Sequence, residues 1–168
     1  MENQEDSQVN SILSFKVGNE VFAAEVKKVL HILELLKITH VPQCPEYMLG
    51  VINLRGAVLP VIDSRLRFGI PPVPHSRNTC IIVMEVILED EQIKIGILVD
   101  SVLEVIETNI SKMQAPPSIG HRYKSDFIKG IVNHGDDFIM LLNLDNMFSS
   151  DELLVVKEAA TDESVDIN

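Results

Sequence analysis

The run Gly50-Val51-Ile52-Asn53-Leu54-Arg55-Gly56-Ala57-Val58-Leu59-Pro60-Val61-Ile62-Asp63-Ser64-Arg65-Leu66-Arg67-Phe68 decides how this chain is read, because it recurs 80 residues later. Gly130, Ile131, Val132 and Asn133 fall on Gly50, Val51, Ile52 and Asn53. Phe138, Ile139, Leu141 and Leu142 fall on Val58, Leu59, Val61 and Ile62, Asn143 falls on Asp63, and Phe148 falls on Phe68. Each copy is an apolar run, a polar turn and a second apolar run, the pattern of a β-hairpin. Each follows a short amphipathic segment, Pro45 to Leu49 and Ser125 to Lys129, that opens on a helix-starting residue and ends at the glycine. Upstream, Ala23 to Ile32 resembles Gly96 to Val105 at an offset of 73, with Val29-Leu30-His31-Ile32 over Val102-Leu103-Glu104-Val105. The chain reads as a duplicated unit. Two units of about 70 residues bury little apolar area alone, so they are expected to share a core or pack side by side.

Outward from the repeat, Val-, Ile-, Leu- and Phe-rich runs recur at short intervals between Gly, Pro, Asn or paired acids, which predicts a mainly β fold. The strand candidates are Ile12 to Val17, Val21 to Ala24, Val51 to Leu54, Ala57 to Ile62, Cys80 to Leu88, Gln92 to Val99, Leu103 to Glu107, Ile131 to Asn133 and Phe138 to Leu142. Gly18-Asn19, Glu89 to Glu91 and His134 to Asp137 supply turns between them. Residues 25 to 36 fit two readings: Val26, Val29, Leu30 and Leu33 have helical spacing, whereas Val29 and Ile32 also suit a strand. The first unit spans about residues 11–70 and the second about 79–150, with interleaving at the ends left open, and the Pro-rich stretch 70–76 connects them.

The chain has 168 residues, 46% of them hydrophobic, enough for a core without covalent staples. Its net charge of −11 argues against nucleic acid and anionic lipid, both of which require a basic footprint. Three acids before residue 11 and a net of five negative charges after residue 150 account for eight of the eleven, leaving −3 on residues 11–150. Residues 1–10 read as a disordered acidic segment and residues 151–168 as an acidic, partly helical tail. Two cysteines, Cys44 and Cys80, lack disulfide-framework or C-x-x-C spacing and read as reduced thiols of a cytoplasmic protein. No secretory signal opens the chain, and no apolar run approaches the roughly 20 residues that span a bilayer.

Catalytic signatures are missing. No glycine-rich phosphate loop, nucleophile elbow or H-E-x-x-H pair occurs. His40 and Cys44 form the only close pair of zinc-type ligands, and their spacing matches no closed site. The sequence therefore predicts no enzyme, no cofactor and no metal. What stands out is Arg55 at the tip of the first hairpin, where the second copy carries the acidic tip His134-Gly135-Asp136-Asp137. A turn at which duplicated units diverge is a candidate site, because loops carry function; the alternative is that Arg55 orders the turn by pairing with Asp63 or Glu34.

The opening stretch closely resembles the hallmark of the CheW family of chemotaxis coupling proteins, G-x-x-N-L-R-G-x-x-x-P-Φ-Φ-D-Φ-R, with Ser64 in place of the usual apolar residue after the aspartate. The likeness extends over residues 12–150, including Phe15 to Phe22 and the run Gly96-Ile97-Leu98-Val99-Asp100 with Val102, Glu104 and Val105. The resemblance implies two small five-stranded β-barrels sharing an apolar core, with short helices and a C-terminal helix. It further implies a non-enzymatic, cytoplasmic adaptor, recruited to membrane-associated receptor arrays without touching lipid. Its partners would be the cytoplasmic hairpin tips of chemoreceptors and the regulatory domain of the histidine kinase CheA. An apolar seam between barrels suits a helical hairpin. By the same resemblance Val29, His31, Gly50, Asn53, Arg55 and Gly56 lie on the receptor side, and no individual kinase contact is assigned. His31 stands where the family usually has glutamate, so a bond from that acid to Arg55 is unavailable, and Arg55 is expected to find another partner or stand free. An adaptor of a non-flagellar pathway such as pilus motility is the alternative.

Overall fold

The computed structural model describes residues 9–115, 127–147 and 152. The described residues form ten strands, joined by tight turns in four hairpins and by longer connections elsewhere: β1 (Asn10–Val17), β2 (Glu20–Glu25), β3 (Val29–Glu34), β4 (Met48–Leu54), β5 (Ala57–Asp63), β6 (Cys80–Leu88), β7 (Glu91–Val99), β8 (Ser101–Thr108), β9 (Ile128–His134) and β10 (Asp137–Leu142), with a one-turn helix α1 (Ser64–Arg67) after β5. All nine strand candidates fall within these elements. Residues 25–36 resolve into a 3-10 turn at Val26–Lys28 and then β3, because Val29 and His31 to Glu34 pair with β6. The segment before Gly50 is not helical; of the segment before Gly130, Ser125 and Asp126 lie outside the described residues and Phe127 is in a 3-10 turn. Pro45 opens a single turn, its carbonyl accepting from Met48 N–H at 3.0 Å, and β4 begins at Met48. Its counterpart enters β9 at Ile128. Of the acidic segment 1–10 expected to be disordered, Asn10 instead begins β1, where it pairs with Thr108, and residues 1–8 lie outside the described residues, as do the start of the second amphipathic segment, Phe148 and the tail 151–168 other than Glu152.

Two five-stranded sheets result, ordered β8-β1-β2-β10-β9 and β3-β6-β7-β5-β4. Each closes on itself through one isolated bridge. Thr39, continuing from β3, exchanges two 2.8 Å hydrogen bonds with Val51 of β4, and Gln114, continuing from β8, does the same with Ile131 of β9 at 2.9 and 2.8 Å. The duplication extends to register: Gly50 faces Val61 as Gly130 faces Leu141, and Val61 pairs in parallel with Gly96 as Leu141 does with Ala23. Asp63 N–H donates to Tyr47 as Asn143 N–H donates to Phe127, both at 2.8 Å.

The units do not stand side by side along the chain. The first sheet takes β1 and β2 from the first half and β8, β9 and β10 from the second; the other takes β6 and β7 with β3, β4 and β5. The division near residue 70 therefore describes repeats and not barrels. The chain crosses between sheets at Val26–Lys28 and again at Asp100, and the edge of β3 finds its partner only in β6.

Alternation along the strands separates three apolar layers. Ile12, Ile106, Val132, Ile139 and Leu141 fill one barrel, while Ile81, Leu33, Ile52, Leu59 and Val61 fill the other at matching places. The larger layer lies between them, built from both sheets by Leu13, Phe15, Phe22, Met48, Ile62, Ile82, Met84, Ile97, Met140 and Leu142. Phe22 stacks on Phe68 with centroids 4.8 Å apart at its middle.

Candidate functional site

Six residues were candidates on the receptor side, and the structure divides them. The β4–β5 tip is a two-residue turn whose central positions, Arg55 and Gly56, have φ of 54° and 86°. That is the hairpin geometry matched to strand twist. Asn53 fixes it by accepting Gly56 N–H on Oδ1 at 2.8 Å. Asn53 and Gly56 thus shape the tip from within it. Gly50 is buried, and its neighbour is its own chain: a Cβ there would lie 2.1 Å from the Thr39 carbonyl oxygen. The backbone that approaches Gly50 closely is Thr39, so this glycine seals the barrel. It leaves no room for a partner's backbone.

Arg55, His31 and Val29 remain available. Arg55 is exposed and makes no hydrogen bond or ion pair among the described residues. Asp63 instead accepts Arg65 N–H at 2.9 Å, capping α1; burial pushes its carboxyl up, against the downward pull of that bond. His31 is exposed on β3, while Val29 packs half-buried on the layer between the sheets. In the second copy the acid survives: Glu104 Oε1 lies 3.2 Å from His134 Nε2.

β3 and β8 are the edge strands of their sheets and occupy matching places in the repeat. Ile32 pairs with Ile82, and Val105 with Leu13, both members of the shared layer. Paired residues face the same side of a sheet. Ile32 and Val105 therefore continue the shared layer outward, yet they remain 50% and 59% exposed. Leu30 and Leu103 beside them are also exposed. Each edge leaves large apolar side chains in water at a cost, which makes the two edges candidate docking surfaces.

Three ion pairs went unanticipated. Arg65 holds Asp100 with two bonds, Nε to Oδ1 at 2.9 Å and Nη2 to Oδ2 at 2.6 Å, and Asp100 Oδ2 also accepts Gly18 N–H at 2.8 Å. Burial alone would raise the Asp100 carboxyl, but the bonds from Arg65 and Gly18 hold it below the usual carboxylate range. Lys28 reaches both oxygens of Asp145 at 3.3 and 3.2 Å. Arg67 lies between the rings of Tyr47 and Phe127, 4.8 and 4.5 Å from their centroids, and pairs with Glu152 at 3.1 Å. Arg65, Arg67 and Asp100 stood within the quoted motifs, but their partners lie 35 to 85 positions away and no local pattern names them.

No group of three or more His, Cys, Asp and Glu side chains that could hold a metal occurs among the described residues, and among them no helix is long and apolar enough to cross a membrane. Comparison with known proteins agrees with the architecture. The model of the CheW-like domain matches residues 11–152. A probable chemotaxis protein CheW of Rhizobium etli is 34% identical over 141 residues, covering 84% of this chain and 88% of that protein. The chemotaxis protein CheW of Klebsiella aerogenes is 29% identical over 148 residues, covering 88% and 87%. The crystal structure of the scaffolding protein TtCheW from Thermoanaerobacter tengcongensis superposes with a TM-score of 0.76 at 30% identity, covering 86% of this chain and 96% of that one.

Proposed function

The chain belongs to the CheW-like family of chemotaxis scaffolding proteins, which is non-catalytic, and on that premise we propose that it couples the cytoplasmic tips of chemoreceptors to the histidine kinase CheA. The observation that carries this reading is the pair of exposed apolar edges at Ile32 and at Val105, with the unpaired Arg55 at the neighbouring hairpin of the β3 sheet. A receptor tip is a helical hairpin, and an apolar helix face fits such an edge. Arg55 then offers its fork of donors to a carboxylate or a helix-terminal carbonyl on that hairpin. Since His31 carries no acid to hold it, Arg55 is presented without first breaking an internal bond.

Work of this kind requires no reacting group, only two surfaces on one rigid body. The protein acts in the cytoplasm and is recruited to receptor arrays through the receptors themselves. The named relatives are chemotaxis proteins, and no described residue favours a non-flagellar pathway. Calorimetric titration of the full chain with a receptor cytoplasmic fragment and, separately, with the CheA regulatory domain tests the proposal. Saturable binding to both is expected; failure to bind either one refutes the coupling role.

A further inference from the structure

Of the eight strand pairings, only the four hairpins β1–β2, β4–β5, β6–β7 and β9–β10 lie within one repeat. The other four, β1 with β8, β2 with β10, β3 with β6 and β5 with β7, join the first repeat to the second. Alone, either repeat would keep two hairpins, with β3 or β8 tied in only by the single bridge beyond its end, Thr39 to Val51 or Gln114 to Ile131, and isolated hairpins are marginal in water. Each repeat thus completes the other.

The ion pairs make that partnership selective. Arg65 follows β5, and Asp145 stands at the matching place after β10; Asp100 lies at the second crossing between sheets, and Lys27-Lys28 lie at the first. The Arg65–Asp100 and Lys28–Asp145 pairs are therefore equivalent contacts of reversed polarity. A first repeat paired with another first repeat would set Arg65 against lysines. A second repeat paired with its own kind would set Asp145 against Asp100. Like charges at such contacts select against self-pairing and favour the unlike pair.

Between the repeats the chain is loosely held. Residues 71–78 are all exposed, and Pro72, Val73 and Pro74 make no hydrogen bond among the described residues. On one side Ile70 N–H donates to Arg65 at 2.7 Å, and on the other Ser76 N–H donates to Thr79 Oγ1 at 2.9 Å, so each end is anchored in its own repeat. Nothing in the linker identifies which copy of the second repeat must be used.

We propose that the two repeats are mutually selective halves, and that a second copy of this chain supplies either half in trans, giving a reciprocally exchanged dimer. Every pairing and ion pair of the monomer recurs in that dimer, and only the linker path changes. Each of its two closed units contains one β3 and one β8, so the dimer carries two copies of each apolar edge. A short tether gives the half in cis an effective concentration on the order of millimolar, so exchange requires refolding at comparable protein concentration.

The test uses full-length chains and no receptor or kinase, so its outcome is independent of the coupling role. Ser11 and Glu107 face each other across β1 and β8 and are both exposed. One variant carries Ser11→Cys and the other Glu107→Cys; they are mixed in denaturant, refolded at millimolar concentration, oxidised and run on a non-reducing gel. A covalent heterodimer is expected from the refolded mixture. It is not expected when the two variants are folded separately and then mixed, nor from the unsubstituted chain with Cys44 and Cys80. Absence of the heterodimer after co-refolding overturns the proposal, as does its equal yield without co-refolding.

Discussion

Replacing Gly50 and Gly56 one at a time by alanine separates the two meanings that glycine has in this hairpin. Gly50 has φ of 147°, and an added Cβ would lie 2.1 Å from the Thr39 oxygen and 2.7 Å from its carbonyl carbon. Both of those atoms are backbone, so relief requires Thr39 to withdraw. Withdrawal breaks the two Thr39–Val51 hydrogen bonds of 2.8 Å that close the barrel. At a net value of about 1 kcal/mol each, their loss costs about 2 kcal/mol. A backbone in a region that suits only glycine adds about 1–3 kcal/mol. Gly50→Ala is thus expected to lose about 3–5 kcal/mol. Gly56 has φ of 86° and nothing within 4 Å of the added atom. Its substitution costs about 1–2 kcal/mol of backbone strain, partly offset by the less flexible unfolded chain. With a urea m-value of about 2 kcal/mol/M, the denaturation midpoint falls by about 2 M for Gly50→Ala and by well under 1 M for Gly56→Ala. Equal midpoints for the two variants, or an unchanged midpoint for Gly50→Ala, would refute the assignment of Gly50 to barrel closure.

Three further outcomes follow from the same geometry. Gly130→Ala meets Met113 Sδ at 2.5 Å and the Gln114 oxygen at 2.8 Å, so part of its clash falls on a flexible side chain, and its loss of stability in urea melts should be smaller than that of Gly50→Ala by at least about 1 kcal/mol. Because the folded-state pKa of Asp100 lies below its unfolded value near 3.9, its contribution is present above that value and is lost as pH falls through the folded one. Melting temperatures from pH 6 to pH 2 should therefore fall less steeply for Arg65→Met than for the parent, whereas parallel curves would argue against the pair. Burial pushes both the Cys44 and the Cys80 thiols up, so a disulfide-exchange reagent at pH 7 should label them slowly in the native protein and quickly in urea.

The strands were legible as continuous apolar runs, because Ile81 to Met84 of β6 and Ile139 to Leu142 of β10 are buried on both faces, between the shared layer and a barrel interior. The duplication was legible because Gly50 and Gly130 sit at corresponding closures, each crowded by the strand that bridges there. Which repeat owns which sheet left no local trace. Pairing of β3 with β6 is a choice between edges of similar composition, and the crossing at Val26–Lys28 is a three-residue turn without proline or glycine. At the candidate site, Arg55 and His31 were singled out through the family resemblance, whereas Ile32 and Val105 were not. Their signal existed, since they occupy matching places in the repeat, but an apolar strand residue reads as core until its neighbours are known.

Reversing the polarity of the exposed edges tests the central claim most directly. Affinity for a receptor cytoplasmic fragment is measured by calorimetry for the parent, for Ile32→Asp with Val105→Asp, and for Arg55→Ala, with CheA regulatory-domain binding and urea midpoints as controls. Loss of apolar burial at about 1.5–3 kcal/mol per side chain predicts at least a hundredfold weaker receptor binding by the double variant. Arg55→Ala should weaken it by about tenfold, the value of one charge-assisted contact. Kinase-domain affinity and stability should stay within twofold and 0.5 kcal/mol of the parent, as is usual for surface changes. Receptor affinity unchanged in the Ile32 and Val105 double variant would contradict the account.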